Sequence, residues 1–548
     1  MVADKPATVF DVLMRTAARF GERPFVQVLP ETAAAYGIEA GELPYATMAA
    51  DALALRQAYA TAGYQSGQRV GLLLQNRPSY FRHWFALNGL GISVVPINPD
   101  LKSAELEYII GHSGMIAAVA LPTRQSDLAR ASEAIGHSLP VFGPEDAIPT
   151  IRPTSGQPLN DVGEQTCDTE CALLYTSGTT GRPKGCVLTN TYFLNSGDWY
   201  LTVGGMITLA PGIERMLTPL PLFHMNAMAT STMAMLMSGG CLIVLDRFHP
   251  KTWWDSVRAS HASIVHYLGV MPPMLMSVPP GPAERAHKVR FGFGAGVDRK
   301  LHAAFEERFG FPLIEAWAMT ETGGGVVIAA SREPRHVGTN CFGKVGPEAE
   351  ARVVGDDGED APTGEPGELL VRRAGADKRF GFFAAYLSDP EATAEAWDGG
   401  WFHTGDIVRR DGDGNFFFVD RKKNVIRRSG ENISAVEVES VLLQHPGVAA
   451  VAVAATPDAV RGDEVFACVV ARNPPATAAG RTQLATDIAS FCLTRLAYYK
   501  APGYVAFVEA LPLTSTQKIQ RGALKDQVVA LAGAAATIDM RELKKRAT

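Results

Sequence analysis

Tyr175-Thr176-Ser177-Gly178-Thr179-Thr180-Gly181-Arg182-Pro183-Lys184-Gly185 is the stretch on which the reading of this 548-residue chain turns. Three glycines free the backbone to direct its N–H groups inward, four hydroxyls flank them, and Arg182 and Lys184 add positive charge. A loop of that make-up wraps a polyphosphate. The P-loop of kinases and ATPases needs Gly-Lys followed at once by Ser or Thr, whose hydroxyl holds magnesium. Here Pro183 precedes Lys184 and Gly185 follows it, so that motif is excluded. Taken alone, a Gly/Ser/Thr run also describes a flexible loop, and the rest of the chain has to decide.

Upstream, Ala172-Leu173-Leu174-Tyr175 reads as a short strand that delivers the loop, after a connector at 149–168 marked by Pro149, Pro153, Gly156 and Pro158. Further back, Val9, Phe10, Val12, Leu13, Ala17, Ala18 and Phe20 recur at helical spacing, and Tyr45 to Tyr64 is an Ala-rich helix. Arg69 to Gln75 reads as a buried strand, followed by a turn at Asn76-Arg77-Pro78, a helix carrying Phe81, Trp84 and Phe85, and a strand from Ser93 to Asn98. This is a strand, helix, strand unit of a parallel sheet, continued by a helix at 103–113 and a strand at Ile116 to Ala120.

Downstream, Leu217 to His224 is extended, Ala227 to Leu236 is a helix of small residues and methionines, and 252–330 alternates helix and strand. From 351 the pattern becomes short strands with Gly/Asp turns such as Gly355-Asp356-Asp357-Gly358, which predicts a small β-rich subdomain. Beyond 423 the chain predicts a compact α/β domain, with helices at 436–443 and 482–496, strands at 449–455, 465–470 and 504–508, and a fraying tail over 529–548. The fold class expected is therefore α/β. A large N-terminal domain of parallel αβ layers with a β-rich subdomain occupies 1–422, and a smaller mobile C-terminal domain occupies 423–548.

Composition narrows the function classes. At 47% hydrophobic and 20% charged the chain has the material for large cores in two or more domains, and a formal charge of -6 offers no basic footprint for nucleic acid. Seven cysteines contain no CxxC pair, and Cys167 and Cys171 lack the partners a zinc site needs. The N-terminus shows no basic start leading into an apolar run, and no apolar stretch reaches the roughly 20 residues of a membrane helix. A cytoplasmic location without an integral membrane segment is expected, and the oligomeric state stays open, a homodimer included.

At Tyr175 to Gly185, and then in order at Pro221-Leu222-Phe223-His224, Trp317-Ala318-Met319-Thr320-Glu321-Thr322, Trp401-Phe402-His403-Thr404-Gly405-Asp406, Asp420-Arg421-Lys422-Lys423, Ser429-Gly430-Glu431-Asn432-Ile433 and Pro512-Leu513-Thr514-Ser515-Thr516-Gln517-Lys518, the chain resembles the adenylate-forming superfamily of acyl-CoA synthetases, luciferases and peptide-synthetase adenylation domains. The resemblance covers nearly the whole sequence. It implies an enzyme that joins a carboxylic acid to ATP as an acyl-adenylate, releasing pyrophosphate, and then passes the acyl group to coenzyme A. A carboxylate is a poor electrophile, so adenylation supplies the leaving group, and two anions must be brought together by preorganised donors.

Carried over residue by residue, the resemblance implies that Thr176, Ser177, Gly178, Thr179, Thr180, Gly181 and Lys184 hold the phosphates. It makes Glu321, after Thr320, the Mg2+ ligand, and Asp406 the chelator of the ribose hydroxyls. Trp317 would stack on adenine opposite a backbone wall at Gly294-Ala295-Gly296, with Ala318, Met319 and Arg421 also at the nucleotide. The Gly292 to Gly296 stretch is not a dinucleotide fingerprint, because Val297 stands where its third glycine belongs. Lys518 would bridge carboxylate and α-phosphate, although Gln517 replaces the glycine usual before it. Lys423 would be the hinge of a domain rotation that brings Arg428, Ser429, Gly430 and Glu431 to coenzyme A.

The acyl pocket implied comprises His224, Met225, Asn226, Met228, Gly269, Trp317 and Ala318, with His224 and Thr320 beside the reacting groups. No acidic residue follows His224 to pair with an α-amine, Met-rich walls suit an adaptable apolar or aromatic ligand, and bulky Trp317 shortens the cleft. Phrasing around His266-Tyr267-Leu268-Gly269 and Arg427-Arg428-Ser429-Gly430 is similar to crotonobetaine/carnitine-CoA ligases, although no cage for a quaternary ammonium is evident. Two other readings are an adenylating enzyme that loads a carrier protein and a non-catalytic nucleotide-binding relative.

Overall fold

A computed structural model describes residues 7–151, 165–176, 183–355, 357–421, 425–512 and 519–545, without the side chains of 420, 421 and 425. The Pro/Gly connector therefore lies largely outside the described residues, as do Ser177 to Arg182, Lys422, Lys423 and Lys518. The chain divides into two compact units: residues 1–99, 110–174 and 185–420, and residues 100–109, 175–184 and 421–548.

The first unit is built on two large sheets and one small one. The strand-helix-strand reading holds: Arg69–Leu73 pairs in parallel with both Ser93–Pro96 and Ala117–Ala120, inside a seven-stranded sheet. The alternating region 252–330 supplies Ile264–Leu268, Phe291–Ala295 and Leu313–Trp317, adjacent parallel strands of an eight-stranded sheet. These strands are near-continuous apolar runs, as a sheet covered on both faces requires. The β-rich region forms a five-stranded sheet whose paired strands are antiparallel.

Helix Val9–Phe20 starts at Thr8, whose side chain accepts the Asp11 N–H while Asp11 returns the bond, a reciprocal cap. Its remaining N-terminal donors find buried asparagines instead of water: Val9 N donates to Asn190 Oδ1 at 3.1 Å and Phe10 N to Asn88 Oδ1 at 2.9 Å. Asn88 Nδ2 also donates to Asn190 Oδ1 at 2.9 Å, so one polar knot joins helices Val9–Phe20, Pro78–Asn88 and Asn190–Thr202 within the apolar core.

In the second unit Val448–Asp458 and Gly462–Ala471 form a long antiparallel pair, with Tyr504–Phe507 added in parallel. The tail departs from expectation. It forms helix Arg521–Leu531 and strand Ile538–Asp539 on the edge of Tyr504–Phe507, and Lys544 is buried. Pairing to the sheet edge satisfies the backbone groups that would otherwise fray.

The helix expected over 227–236 is also modified. Asn226–Ser231 is a π-helical turn and only Thr232–Ser238 is α-helical. Hydroxyls support the widened turn, Ser231 Oγ donating to the Asn226 carbonyl at 3.1 Å and Thr232 Oγ1 to the Ala227 carbonyl at 2.8 Å. Such turns recur at functional sites.

Candidate active site

Strand Leu313–Trp317 ends in the turn that carries the Trp-to-Glu element. Ala318 is exposed, Met319 and Thr320 are half-buried, and Glu321 is buried again at 7% exposure. The turn closes on itself, with Thr322 N and Gly323 N donating to the Met319 carbonyl at 3.1 and 3.0 Å. Helix Asn190–Thr202 holds it from behind: Tyr192 donates its hydroxyl to the Thr320 carbonyl at 2.9 Å. Gly323, at φ +49°, lies so close that an added Cβ would come within 2.0 Å of the Tyr192 ring, so glycine is required there.

Glu321 accepts the Tyr386 hydroxyl at 2.8 Å on Oε1. Burial, with Glu321 beside it, pushes the Tyr386 phenol well above its ordinary range, so the group stays a donor. Tyr386 sits on a two-residue strand paired with Lys184–Thr189 at Cys186. The segment directly after the glycine-rich loop is thereby tied to the strand whose tyrosine orients Glu321. Thr176 ends strand Glu170–Thr176 and Lys184 opens Lys184–Thr189, hydrogen-bonded neighbours in the seven-stranded sheet. The loop between them falls outside the described residues.

Asp406, on strand Phe402–Arg410, is 3% exposed and accepts the Trp317 indole N–H at 2.8 Å on Oδ2. Its own N–H donates to Thr404 Oγ1 at 3.1 Å. Trp317, expected to stack on adenine, is buried and bonded through its ring nitrogen to Asp406.

Gly294 and Ala295 end the neighbouring strand Phe291–Ala295, and Gly296 follows it. A Cβ on Gly294 would meet the Tyr267 carbonyl at 2.2 Å, and one on Gly269 the Gly296 carbonyl at 2.0 Å, so two backbones approach closely here. Their organiser is Glu315, which the sequence reading passed over. It receives Gly296 N and Val297 N at 2.9 Å each and the Tyr267 hydroxyl at 3.2 Å. Burial raises its pKa against those bonds. A glutamate inside the apolar run Leu-Ile-Glu-Ala-Trp was the available signal.

His224 follows the extended run, with Asn76 clamping what precedes it: Nδ2 donates to the Leu220 and Leu245 carbonyls at 2.9 and 3.0 Å, and Oδ1 accepts Leu222 N at 2.9 Å. Met225 and Met228 are buried and Asn226 is half-buried. Tyr80 donates to the Leu222 carbonyl at 3.0 Å and lies 3.3 Å from Met228 Sδ.

In the second unit, Ser429 and Gly430 take φ +52° and +91° as the two-residue turn of the hairpin Val425–Arg428/Glu431–Ser434, the conformation such hairpins prefer. Arg428, expected at coenzyme A, is buried. Its guanidinium is 1% exposed and its Nε lies 2.8 and 2.9 Å from the Glu464 carboxylate oxygens, so it presents no surface to a phosphate in this arrangement. Arg427 beside it is exposed. Arg421 ends strand Phe416–Arg421, its side chain outside the described residues. No helix among the described residues is long and apolar enough to cross a membrane.

Residues 14–379 match the family model described as AMP-binding enzyme, and 437–518 match the AMP-binding enzyme C-terminal domain. A sulfoacetate–CoA ligase of Cupriavidus necator is 32% identical over 94% of this chain and 97% of its own. A crotonobetaine/carnitine–CoA ligase of Salmonella choleraesuis is 30% identical over 84% of this chain and 89% of its own. Among solved structures, o-succinylbenzoate CoA synthetase of Bacillus subtilis superposes with a TM-score of 0.78 at 24% identity, covering 94% of this chain and 98% of that one.

Proposed function

Because this chain belongs to the AMP-binding enzyme family and is an ATP-dependent acid:CoA ligase working through an acyl-adenylate, we propose that the cluster Trp317, Glu321, Asp406 and Gly294 to Gly296 is its adenylation site. The observation that carries this is the joining of two buried carboxylates to one short turn. Asp406 is tied to Trp317, Glu321 lies four residues on, and of the residues between them Ala318 is exposed and Met319 and Thr320 are half-buried.

Asp406 has the chemistry to accept the ribose hydroxyls, and the backbone wall at Gly294 to Gly296 forms one side of the adenine slot. Glu321 offers a hard carboxylate oxygen held by Tyr386, which fits Mg2+. When bound, the ion would neutralise phosphate charge. Thr176, Lys184 and the glycine-rich residues between them would orient pyrophosphate as leaving group while the substrate carboxylate attacks the α-phosphorus. Lys518 would steady the two anions in that step. Rotation about Lys423, at the boundary between a 1–422 and a 423–548 domain, would then replace Lys518 by the Ser429-Gly430-Glu431 turn for attack by the CoA thiol. A cytoplasmic location is proposed with this reading, since ATP and CoA are both to hand there. Sulfoacetate and crotonobetaine, the acids named for the two relatives, are both short, and the substrate proposed here is likewise a short or medium acid without an α-amine.

Pyrophosphate release and thioester formation over a panel of acids test this. Release that yields an acyl-CoA only when CoA is present is expected. Release without thioester would favour carrier loading, and no release with any acid a non-catalytic role. Lys518→Ala should abolish adenylation and spare thioester formation from supplied acyl-adenylate; equal loss of both steps would overturn its role.

A further inference from the structure

His266 is fully buried on strand Ile264–Leu268, with Nε2 3.1 Å from the Tyr200 hydroxyl and Nδ1 2.7 Å from Ser231 Oγ and 3.2 Å from Asn226 Oδ1. The ring is fixed by Tyr200, stacked at a centroid distance of 5.9 Å, and by Phe293 at 5.2 Å. The direction of each bond follows from donor counting. Tyr200 is also fully buried, and its hydroxyl has no other acceptor among the described residues, so its single proton goes to Nε2. Burial lowers the imidazole pKa to about 3, leaving it neutral with one N–H, which must then sit on Nδ1. Ser231 fits this assignment: its hydroxyl lies 3.1 Å from the Asn226 carbonyl, which can take its one proton, and 2.7 Å from Nδ1, from which its oxygen then accepts.

Asn226 Oδ1 is thus committed as acceptor from His266. The Nδ2 group of the same planar amide donates to no described residue, and Asn226 is half-buried where His266, Ser231 and Tyr200 are buried. The π-helical turn is what brings Asn226 and Ser231 to the same imidazole nitrogen.

We propose that the Tyr200–His266–Asn226 chain fixes the Asn226 amide with its N–H donors toward the acyl group, and that the enzyme thereby selects acids bearing a hydrogen-bond-accepting oxygen in the acyl portion over plain alkyl acids. This rests on the reading of residues 224–228 as part of the acyl pocket of a CoA ligase. Asn226 is the specificity-determining residue and His266 a positioning residue that acts through it. Ketone, ether and sulfonate oxygens share the required chemistry, and a fixed donor left unpaired by an alkyl group discriminates strongly.

The test uses the full chain and near-isosteric acid pairs: 4-oxopentanoate against 4-methylpentanoate, methoxyacetate against butanoate, and sulfoacetate against 3,3-dimethylbutanoate. The readout is the ratio of kcat/KM for pyrophosphate release within each pair, which cancels any loss of folded enzyme in a variant. The wild-type ratio is expected to exceed about 10 in at least one pair, chiefly through KM. Preference in the first two pairs identifies a neutral oxygen, preference in the third an anionic one, and either supports the proposal. Asn226→Leu, and the isosteric Asn226→Asp that exchanges donor for acceptor, should lower the ratio about 10-fold or more. His266→Phe should lower it in the same direction, whereas a merely structural histidine would depress both acids alike and leave it unchanged. Ligase activity with alkyl acids equal or better, or a ratio untouched by the Asn226 variants, overturns this proposal alone. Absence of pyrophosphate release with every acid defeats the ligase reading and this proposal together.

Discussion

A carboxylate inside a protein keeps its charge only where donors replace the water it has lost. Glu321 has such a donor in the Tyr386 hydroxyl, which reaches its Oε1 at 2.8 Å from a strand anchored to Lys184–Thr189. The tyrosine fixes which way the carboxylate points. Tyr386→Phe keeps the ring packed on Phe383, at 4.7 Å between centroids, and deletes the hydroxyl that makes that bond. A hydrogen bond to a charged acceptor contributes about 1.5–3 kcal/mol, so Mg-ATP affinity measured by titration calorimetry should fall about 10-fold or more, with the unfolding midpoint moved much less. Unchanged affinity would mean that Tyr386 only fills space.

At the scale of elements, the sequence was legible wherever one segment's own pattern decides its structure. The apolar spacing from Val9 to Phe20 and the buried runs at Arg69–Leu73 and Ser93–Pro96 state their elements directly, and these are helix and parallel strands. What was not legible are partnerships set by tertiary contact. The π-helical turn answers to His266, the buried Glu315 to the backbone at Gly296 and Val297, and Arg428 to Glu464. The same holds for Glu306 on helix His302–Phe309, which meets Arg335 at 2.7 and 2.9 Å, His302 Nε2 at 3.1 Å and Leu313 N at 2.8 Å. Burial opposes its charge, but these partners outweigh burial and hold its pKa at about 2, against an ordinary 4.5. Between those values the unfolded chain binds more protons than the folded one, so the contribution is complete above about pH 4.5 and is lost as pH falls toward 2. Glu306→Gln should therefore destabilise the protein at pH 6, and the gap in urea midpoint from wild type should narrow between pH 5 and 3.5. A gap independent of pH would assign the effect to packing.

At the scale of the whole molecule, the two units differ in what holds them and in how they can be observed. All seven tryptophans, the last at Trp401, belong to the first unit, so tryptophan fluorescence is blind to the second. Inside the second unit, Arg428 and Lys544 share one carboxylate, Glu464, and all three side chains are at most 1% exposed. Two cations around one anion make an uneven balance. Burial first, then the Arg428 charge, lowers the Lys544 pKa to about 7, while Arg428 stays fixed on Glu464. Removing the shared anion leaves both cations uncompensated, and breaking a buried pair in this way costs about 3–5 kcal/mol. Glu464→Gln should sharply raise hydrogen exchange in strand Gly462–Ala471 and leave the tryptophan-monitored urea midpoint near wild type. Lys544→Met instead leaves a one-to-one Arg428–Glu464 pair and should preserve or increase protection of that strand. Because the folded pKa of Lys544 lies below its unfolded value of about 10.4, its ammonium form opposes folding most fully below pH 7. The advantage of Lys544→Met should then be greatest near pH 6 and shrink toward pH 9. Equal movement of fluorescence and exchange in Glu464→Gln would show instead that the units unfold as one, and that the Glu464 cluster serves the stability of the entire chain.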